Sequence, residues 1–575
     1  MFTSPLNARG RINSVPRFII DSEVVAVVAL LSTALVIGLA TAGDYGMTVD
    51  EFNTDDYGPK ALAWYTSGFT DRSHFETVEQ YLWYYGPWFH MLTAFAQSFN
   101  LANPVTVRHA MTFSVGLMGL AALLPMARLT VGRWAGLAAI SLCLMTGYLY
   151  GSLFFTPIDV PFLAAMTWAT LAVILMAQRV VPSWPATICA GLLTGLAIAT
   201  RTGGIITHAY LLGAMVLGAI AAVVHHGYSA KLDLLRISAR TLCVMAIAWT
   251  TAIALWPWLQ IGNPFWQFKI ALVHFTTIPM SFQFPHWGEL VWTNAPPATY
   301  IPAQLLARLP EAFILCLLAG LAFGLATTIG FSRACLQGAR LRGTAGLRAP
   351  VLFLARSRGI LVLWAAAIFP IAFLIVQRST LYDGVRHVLF IIPILAVVAG
   401  AGFARLLPTL ATWRRVPALA SAAGGAYVGM MIWTLVSLHP LEYVATNLFA
   451  GGLKGAYGRF EHDYWSVAAT VALRRLEQRL DYESAHRGAE RTPTILMCIG
   501  ARETMVGPIF GRAWIIEVDP LKADFIIETE RWRCAGGSSA VLIDEVRRFD
   551  RAFAWTYARQ PAAINQVNLS SRPAQ

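Results

Sequence analysis

Charge is what this sequence has least of. Only 13% of its 575 residues are Asp, Glu, Lys or Arg, against about 25% in soluble domains. That shortage, with 57% hydrophobic residues and a mean hydropathy of +0.56, excludes a chain folded around one water-facing core. Lysine is scarcer still: five of the 43 basic residues, so the net charge of +12 is carried by arginine. Together with abundant Ala and Gly, this is the bias of a GC-rich bacterial genome. Cysteine is sparse and scattered. Cys143, Cys189, Cys243 and Cys316 lie in apolar runs, Cys335 in a basic loop, and Cys498 and Cys534 in the polar C-terminal part. No CxxC or zinc-type spacing occurs, which removes redox-motif and zinc-ribbon readings. Internal repeats are also lacking, and with them the sign of the inverted-repeat transporter plan.

What the chain does have is apolar runs long enough to cross roughly 30 Å of hydrocarbon as helices. About eleven are expected. They lie near 23–42, 107–127, 134–152, 160–178, 185–200, 204–224, 241–258, 311–330, 359–377, 387–406 and 416–438. The first run follows Arg9, Arg11 and Arg17 and lacks an A-x-A exit, so it reads as a retained helix rather than a cleaved leader. The connections alternate in charge. Arg128, Arg133, Arg179, Lys231, Arg236, Arg240 and the arginines of 333–358 and 405–415 mark one side; Asp44, Asp50, Glu51, Asp55, Asp56, Asp71, Asp159, Glu289 and Asp383 mark the other. The positive-inside rule places the basic set and the N-terminus in the cytoplasm, and an odd number of spans places the C-terminus outside. A basic balance in such a chain is a topology signal, not a nucleic-acid one.

Two outer loops are long. In the loop at 43–106, apolar stretches such as Ala61–Tyr65 and Tyr81–Phe95 predict helices lying on the membrane surface. The loop at 259–310 is rich in Trp, Phe, Pro and His, as in Phe284-Pro-His-Trp287; aromatic belts account for part of this, and aromatic rings also stack on sugars. The expected architecture is an all-α polytopic membrane domain over 1–438 and a small α/β extracytoplasmic domain over 439–575. In the latter, an amphipathic helix is expected over 466–485, strands at Thr494–Ile499 and Phe525–Ile527, a turn at Asp519-Pro520, and a disordered tail after Gln560.

Four polar clusters stand at membrane boundaries of the outer face. Thr48-Val-Asp-Glu51 puts two carboxylates just after the first span; the plain alternative is a solvated loop. Phe155-Thr-Pro-Ile-Asp159-Val-Pro-Phe162 puts Asp159 where a span begins, where it could instead cap a helix. Arg201-Thr-Gly-Gly204 joins an arginine able to grip phosphate to glycines that admit close approach, or forms a tight turn with a snorkelling arginine. Leu381-Tyr-Asp-Gly-Val-Arg-His387 adds Asp, Arg and His at the mouth of another span.

With Tyr84-Tyr-Gly-Pro87, these motifs resemble, in order and sidedness, the GT-C glycosyltransferases, and within them bacterial relatives of the dolichyl-phosphate-mannose protein mannosyltransferases and the lipid A aminoarabinose transferase. His439-Pro-Leu-Glu-Tyr443, Asn447, Ala450-Gly-Gly and Phe460-Glu-His-Asp-Tyr-Trp465 also look like features of that subgroup, so the resemblance covers most of 40–465. Where the family often has His-Pro-Pro in the first loop, this chain has Tyr85-Gly-Pro-Trp88. The resemblance implies sugar transfer from a polyprenyl-phosphate carrier to an acceptor outside the membrane, with inversion. An acceptor hydroxyl needs a carboxylate base, for which Asp50 is the candidate, with Glu51 tuning it and Asp159 orienting the acceptor or holding Arg201. The leaving lipid phosphate needs positive charge, which Arg201 and Arg386 supply. Tyr85, His286, Tyr382, Asp383 and His387 complete the candidate site as substrate-binding residues. Because arginines provide the charge, no cofactor or metal is required; Asp50, Glu51 and Asp159 are the set that could take a divalent ion. The expected partners are the lipid-linked sugar, an envelope glycan, lipid or protein acceptor, and the lipids of a bacterial inner membrane. A transporter of a lipid-linked sugar is the rival class, but it would place its ionisable residues at mid-membrane.

Overall fold

The computed structural model describes residues 21–76, 82–277, 281–342, 348–411, 416–487, 492–499, 513–536 and 539–559. The basic N-terminal residues before the first span and the tail from Gln560 lie outside the described residues. Helix α1 (Ser22–Thr41) is capped by the Asp21 side chain. The acidic loop after it forms three short helices, α2 (Val49–Thr54), α3 (Tyr57–Thr66) and α4 (Trp88–Gln97). Helices α5 (Pro104–Ala121) and α6 (Leu123–Thr130) run on as one span, and α7 (Ala135–Met145) and α8 (Gly147–Phe155) follow. Then come α9 (Asp159–Ala177), α10 (Trp184–Ile198), α11 (Ile206–His226) and α12 (Lys231–Leu255). The second long loop contains α13 (Pro264–Thr276), a hairpin of β1 (Gln283–His286) and β2 (Glu289–Trp292), and α14 (Tyr300–Arg308). Helices α15 (Glu311–Arg342), α16 (Arg348–Arg356), α17 (Arg358–Gln377), α18 (Ile391–Ala411) and α19 (Val416–Leu438) complete the apolar part.

The chain is a multi-pass, mainly helical membrane protein. Among the described residues eight helices are long and apolar enough to cross a membrane, or nine if α7 and α8 are one span. Each expected run falls on a helix, but α10 and the apolar Ile391–Leu406 stretch are shorter. The run expected as a straight helix near 134–152 is bent by 74°. Thr146, at φ −78° and ψ 98°, leaves helical geometry there, so hydropathy locates the run but not its bend. The pair still connects the two faces. At its start Trp134 donates its N–H to Glu23, the second residue of α1; at its end the Phe155 carbonyl accepts from Thr48, beyond the other end of α1. Arg128 and Arg133 join the first face through Asp21 and Glu23. Helix α9 is the hub, with 89% of its apolar window buried inside the molecule.

After α19 the chain turns back into the apolar part. Glu442, Tyr443, Glu461, Asp463 and Trp465 are all buried. Gly151 of α8 allows the approach: a Cβ there would meet the Tyr443 nitrogen at 2.7 Å. Past the short α20 (Gly452–Ala456), α21 (Val467–Arg487) packs on a five-stranded sheet made of β3 (Thr494–Met497), β4 (Ile515–Ile516), β5 (Phe525–Thr529), β6 (Val541–Arg548) and β7 (Arg551–Ala558). The order is β4-β3-β5-β7-β6; β3 is parallel to both neighbours, and β7 antiparallel to both of its own. The two long strands β6 and β7 were not legible as a hairpin because their turn residues, Phe549 and Asp550, adopt positive φ (45° and 62°) without a glycine signal. Cys498 and Cys534 are joined in a disulfide, Cα to Cα 5.5 Å.

Candidate active site

Four chain segments meet at one end of the helical bundle. Thr48 and Glu51 form a capping box that starts α2, and the next-to-first residue of that helix, Asp50, faces the bundle mouth. Asp159 is the first residue of α9, where the helix dipole favours an anion; the N-cap position falls on Ile158 instead. Arg201 sits in extended backbone between α10 and the turn Thr202–Ile205. Its turn is covered by the first long loop: Gly86 donates its N–H to the Thr200 carbonyl at 3.1 Å, and a Cβ on Gly86 would overlap the Ala199 carbonyl at 1.4 Å. The fourth segment precedes α18. Asp383 and Gly384 both take positive φ (59° and 67°), and the freed Gly384 N–H donates to the Tyr300 hydroxyl at 3.0 Å.

Arg386 is the centre. Its Nη2 lies 2.5 Å from Asp50 Oδ2, its Nη1 3.0 Å from Asp383 Oδ2, and its Nε 3.5 Å from Asp159 Oδ2, the last an ion pair without hydrogen-bond geometry. Arg201 pairs with the other oxygen of Asp159. Arg531, from the C-terminal sheet, lies 2.5 Å from Asp383 Oδ1. The Trp465 indole donates to Asp50 Oδ2 at 3.3 Å. Three carboxylates thus face three guanidinium groups. Burial opposes the charge of Arg386, but Asp50, Asp159 and Asp383 outweigh it and hold its pKa well above the usual arginine value. His387 behaves oppositely: burial, then the charges of Arg201 and Arg386, push it well below the histidine range, so it is a neutral imidazole. Exposure separates the carboxylates. The Asp50 side chain is 29% exposed, those of Asp159 and Asp383 only 3% and 6%. Of the three, Asp50 is the one open to solvent.

Aromatic rings line the cluster. The Arg201 guanidinium lies 5.7 Å from the ring centroids of both Tyr85 and Phe162, and Arg386 lies 5.9 Å from Tyr382 and 5.6 Å from Trp465. Tyr382 meets His387 edge-on at 4.8 Å. Of the candidates read from sequence, Asp50, Tyr85, Asp159, Arg201, Tyr382, Asp383, Arg386 and His387 are brought together. Glu51 and His286 are not. Consecutive helical residues point about 100° apart, so Glu51 turns inward, fully buried, onto His109 Nε2 at 2.9 Å and the Thr48 N–H at 3.1 Å. His286 bonds Thr299 Oγ1 at 3.2 Å on the β1–β2 hairpin. The divalent-ion set Asp50, Glu51 and Asp159 therefore does not converge, and among the described residues no group of three or more His, Cys, Asp or Glu is arranged to hold a metal. Three partners were missed in the sequence. Trp465 belongs to the Phe460–Trp465 motif without a role being legible. Glu461 accepts from Tyr300 at 3.0 Å, and burial with the charge of Asp383 pushes it up to about 7. Arg531 carries no local signal at all.

No family model and no curated protein sequence matches the chain. Solved structures do match in fold search. One is ArnT from Cupriavidus metallidurans bound to undecaprenyl phosphate, at 14% identity over 93% of this chain and 98% of that one, TM-score 0.41; its apo form gives 0.42 at 14% identity over 94% and 99%. Another is the archaeal oligosaccharyltransferase AglB from Archaeoglobus fulgidus with an inhibitory peptide and a dolichol-phosphate, at 13% identity over 81% and 62%, TM-score 0.38. Both are GT-C enzymes.

Proposed function

We propose that this chain is a GT-C glycosyltransferase that moves a sugar from a polyprenyl-phosphate carrier to an acceptor on the outer face of a bacterial inner membrane. The observation that carries the reading is the Arg386 cluster: two arginines of the membrane part, Arg201 and Arg386, beside one open carboxylate, Asp50. In this reading the carrier phosphate docks on Arg201 and Arg386, which stabilise the charge that develops as the C1–oxygen bond breaks. The acceptor hydroxyl gives its proton to Asp50 and attacks C1 from the opposite side, inverting it. The phosphate leaves on the polyprenyl chain. Docking of the phosphate draws Arg386 from Asp50 and so raises the basicity of that carboxylate when it is needed. Asp159 and Asp383, closed to solvent, orient the two arginines. Tyr85, Tyr382 and His387 border the sugar. The acceptor is an envelope glycan, lipid or protein. The membrane part is assigned to 1–438, the C-terminal part to the periplasm, and the N-terminus to the cytoplasm.

A strain lacking the protein tests this. Mass spectrometry of its envelope glycans, lipids and proteins should find one sugar modification lost and a polyprenyl-phosphate sugar accumulated. Unchanged envelope and carrier pools would overturn the reading.

A further inference from the structure

Arg531 lies on the loop after β5, yet its guanidinium is part of the cluster at the bundle mouth, 2.5 Å from Asp383 Oδ1 and 4.8 Å from the Phe282 ring centroid. Asp383 is therefore shared, one oxygen on Arg531 and the other on Arg386. Three residues beyond Arg531, Cys534 is bonded to Cys498 at the end of β3. The same loop is held by Glu528, which accepts the N–H groups of Cys534 at 2.8 Å and Ala535 at 2.6 Å. The charge count gives Arg531 a consequence. With it, Arg201, Arg386 and Arg531 match Asp50, Asp159 and Asp383 one for one, and Glu461 adds negative charge only above about pH 7. Without it, one more carboxylate goes unmatched at any pH, and Arg386 is left as the sole cation on Asp383.

We propose that Arg531 is a positioning residue for Arg386: by neutralising Asp383 it leaves Arg386 free to take an incoming phosphate, and the Cys498–Cys534 bond holds it there. The inference rests on the reading of Arg386 as a phosphate-binding group. A role limited to docking the sheet against the membrane part would give different results. The charged groups facing Asp383 are Arg386 on its own loop, Arg531, Glu461 from the segment before α21, Asp50 of α2, and Asp159 with Arg201. Arg531 opposes the upward push on the buried Glu461 carboxyl, so in Arg531→Gln that carboxyl holds its proton to higher pH, and its protonation as pH falls offsets the lost cation.

The test uses the purified full-length protein and undecaprenyl phosphate as the probe. Arg531→Gln should bind it about tenfold more weakly at pH 8, a usual size for coupling between groups, and should recover towards pH 5.5. Arg531→Lys should bind nearly as the wild type. The double variant Cys498→Ala with Cys534→Ala should weaken binding in the same direction, and combining it with Arg531→Gln should add little. Hydrogen exchange over 381–388 should rise in both. Wild-type affinity in Arg531→Gln, or a pH-independent loss that Lys does not rescue, would overturn the proposal in favour of simple docking. If the wild-type protein fails to bind the probe, the carrier reading fails instead. The exchange data then decide the link: equal rises uphold it, and an unchanged 381–388 segment in the double cysteine variant overturns it.

Discussion

Arg386 and Asp50 stand 336 residues apart in the chain and 2.5 Å apart in space. This one ion pair closes the mouth of the bundle, joining the helix after the first span to the loop before the tenth apolar run. Asp50, 29% exposed, gives the pair its open edge. Asp50→Asn keeps the shape and removes the base. Sugar transfer from a polyprenyl-phosphate donor should fall by about 10²–10⁴ while the thermal midpoint stays close to that of the wild type. Near-normal transfer by a folded Asp50→Asn protein, with Asp159→Asn inactive, would move the base to the head of α9.

Arg386→Gln should be destabilising as well as inactivating. It leaves Asp159 and Asp383, both closed to solvent, short of a counter-charge, and breaking a buried ion pair costs about 3–5 kcal/mol. Arg201→Lys should fold and still lose most carrier binding, since an ammonium does not reproduce a planar fork. Undecaprenyl phosphate affinity and thermal unfolding, measured on the same preparations, separate the two. Unchanged affinity in Arg201→Ala would reduce that residue to holding a turn.

Glu51 should behave as a structural residue despite its place beside Asp50. It closes the α2 capping box and is the buried partner of His109. Glu51→Ala should lower stability by about 2–4 kcal/mol through the lost cap and charged hydrogen bonds, and Glu51→Gln by less. Protein that folds should retain carrier binding in both. A fully stable Glu51→Ala protein without transfer activity would return Glu51 to the chemistry.

Stability should fall as pH rises through neutrality, and Asp463 is one cause. Burial pushes its carboxyl up to about 8, partly offset by the hydrogen bond from Tyr443. A carboxyl whose folded pKa is raised contributes its full stability below the unfolded value, about 3.9, and loses it as pH climbs through the folded value. The thermal midpoint of the wild type should therefore drop from about pH 4 to about pH 8 and level off above that. Asp463→Asn should flatten that drop. The same slope in both proteins would mean that Asp463 is already ionised in the fold.

Reporter fusions test orientation. Fusions after residues 20, 230 and 345 should read cytoplasmic, and those after 70, 285 and 480 external. A cytoplasmic reading at 480 would remove one crossing from the count, and the bent α7–α8 run would be the first to re-examine.

Hydropathy and charge alternation are local properties, and what depends on them was legible in the residues. Long apolar runs located the helices, the asymmetry of arginine and carboxylate separated two ends of the bundle, and the apolar stretches of the first long loop announced short helices there. The residues Asp50, Asp159, Arg201 and Arg386 could be singled out because charge beside a membrane span is costly wherever it occurs. Their pairing could not, because an ion pair between residues hundreds of positions apart leaves no trace in spacing. Only the tertiary structure decided that Glu51 turns in while Asp50 turns out, that Thr146 bends a run of uninterrupted apolarity, and that residues 439–466 fold back into the helical part. Arg531 shows the limit most clearly. In the sequence it is one arginine of a polar loop; its place beside Asp383 is created by a sheet, a disulfide and a returning chain, each of which exists only once distant segments have packed.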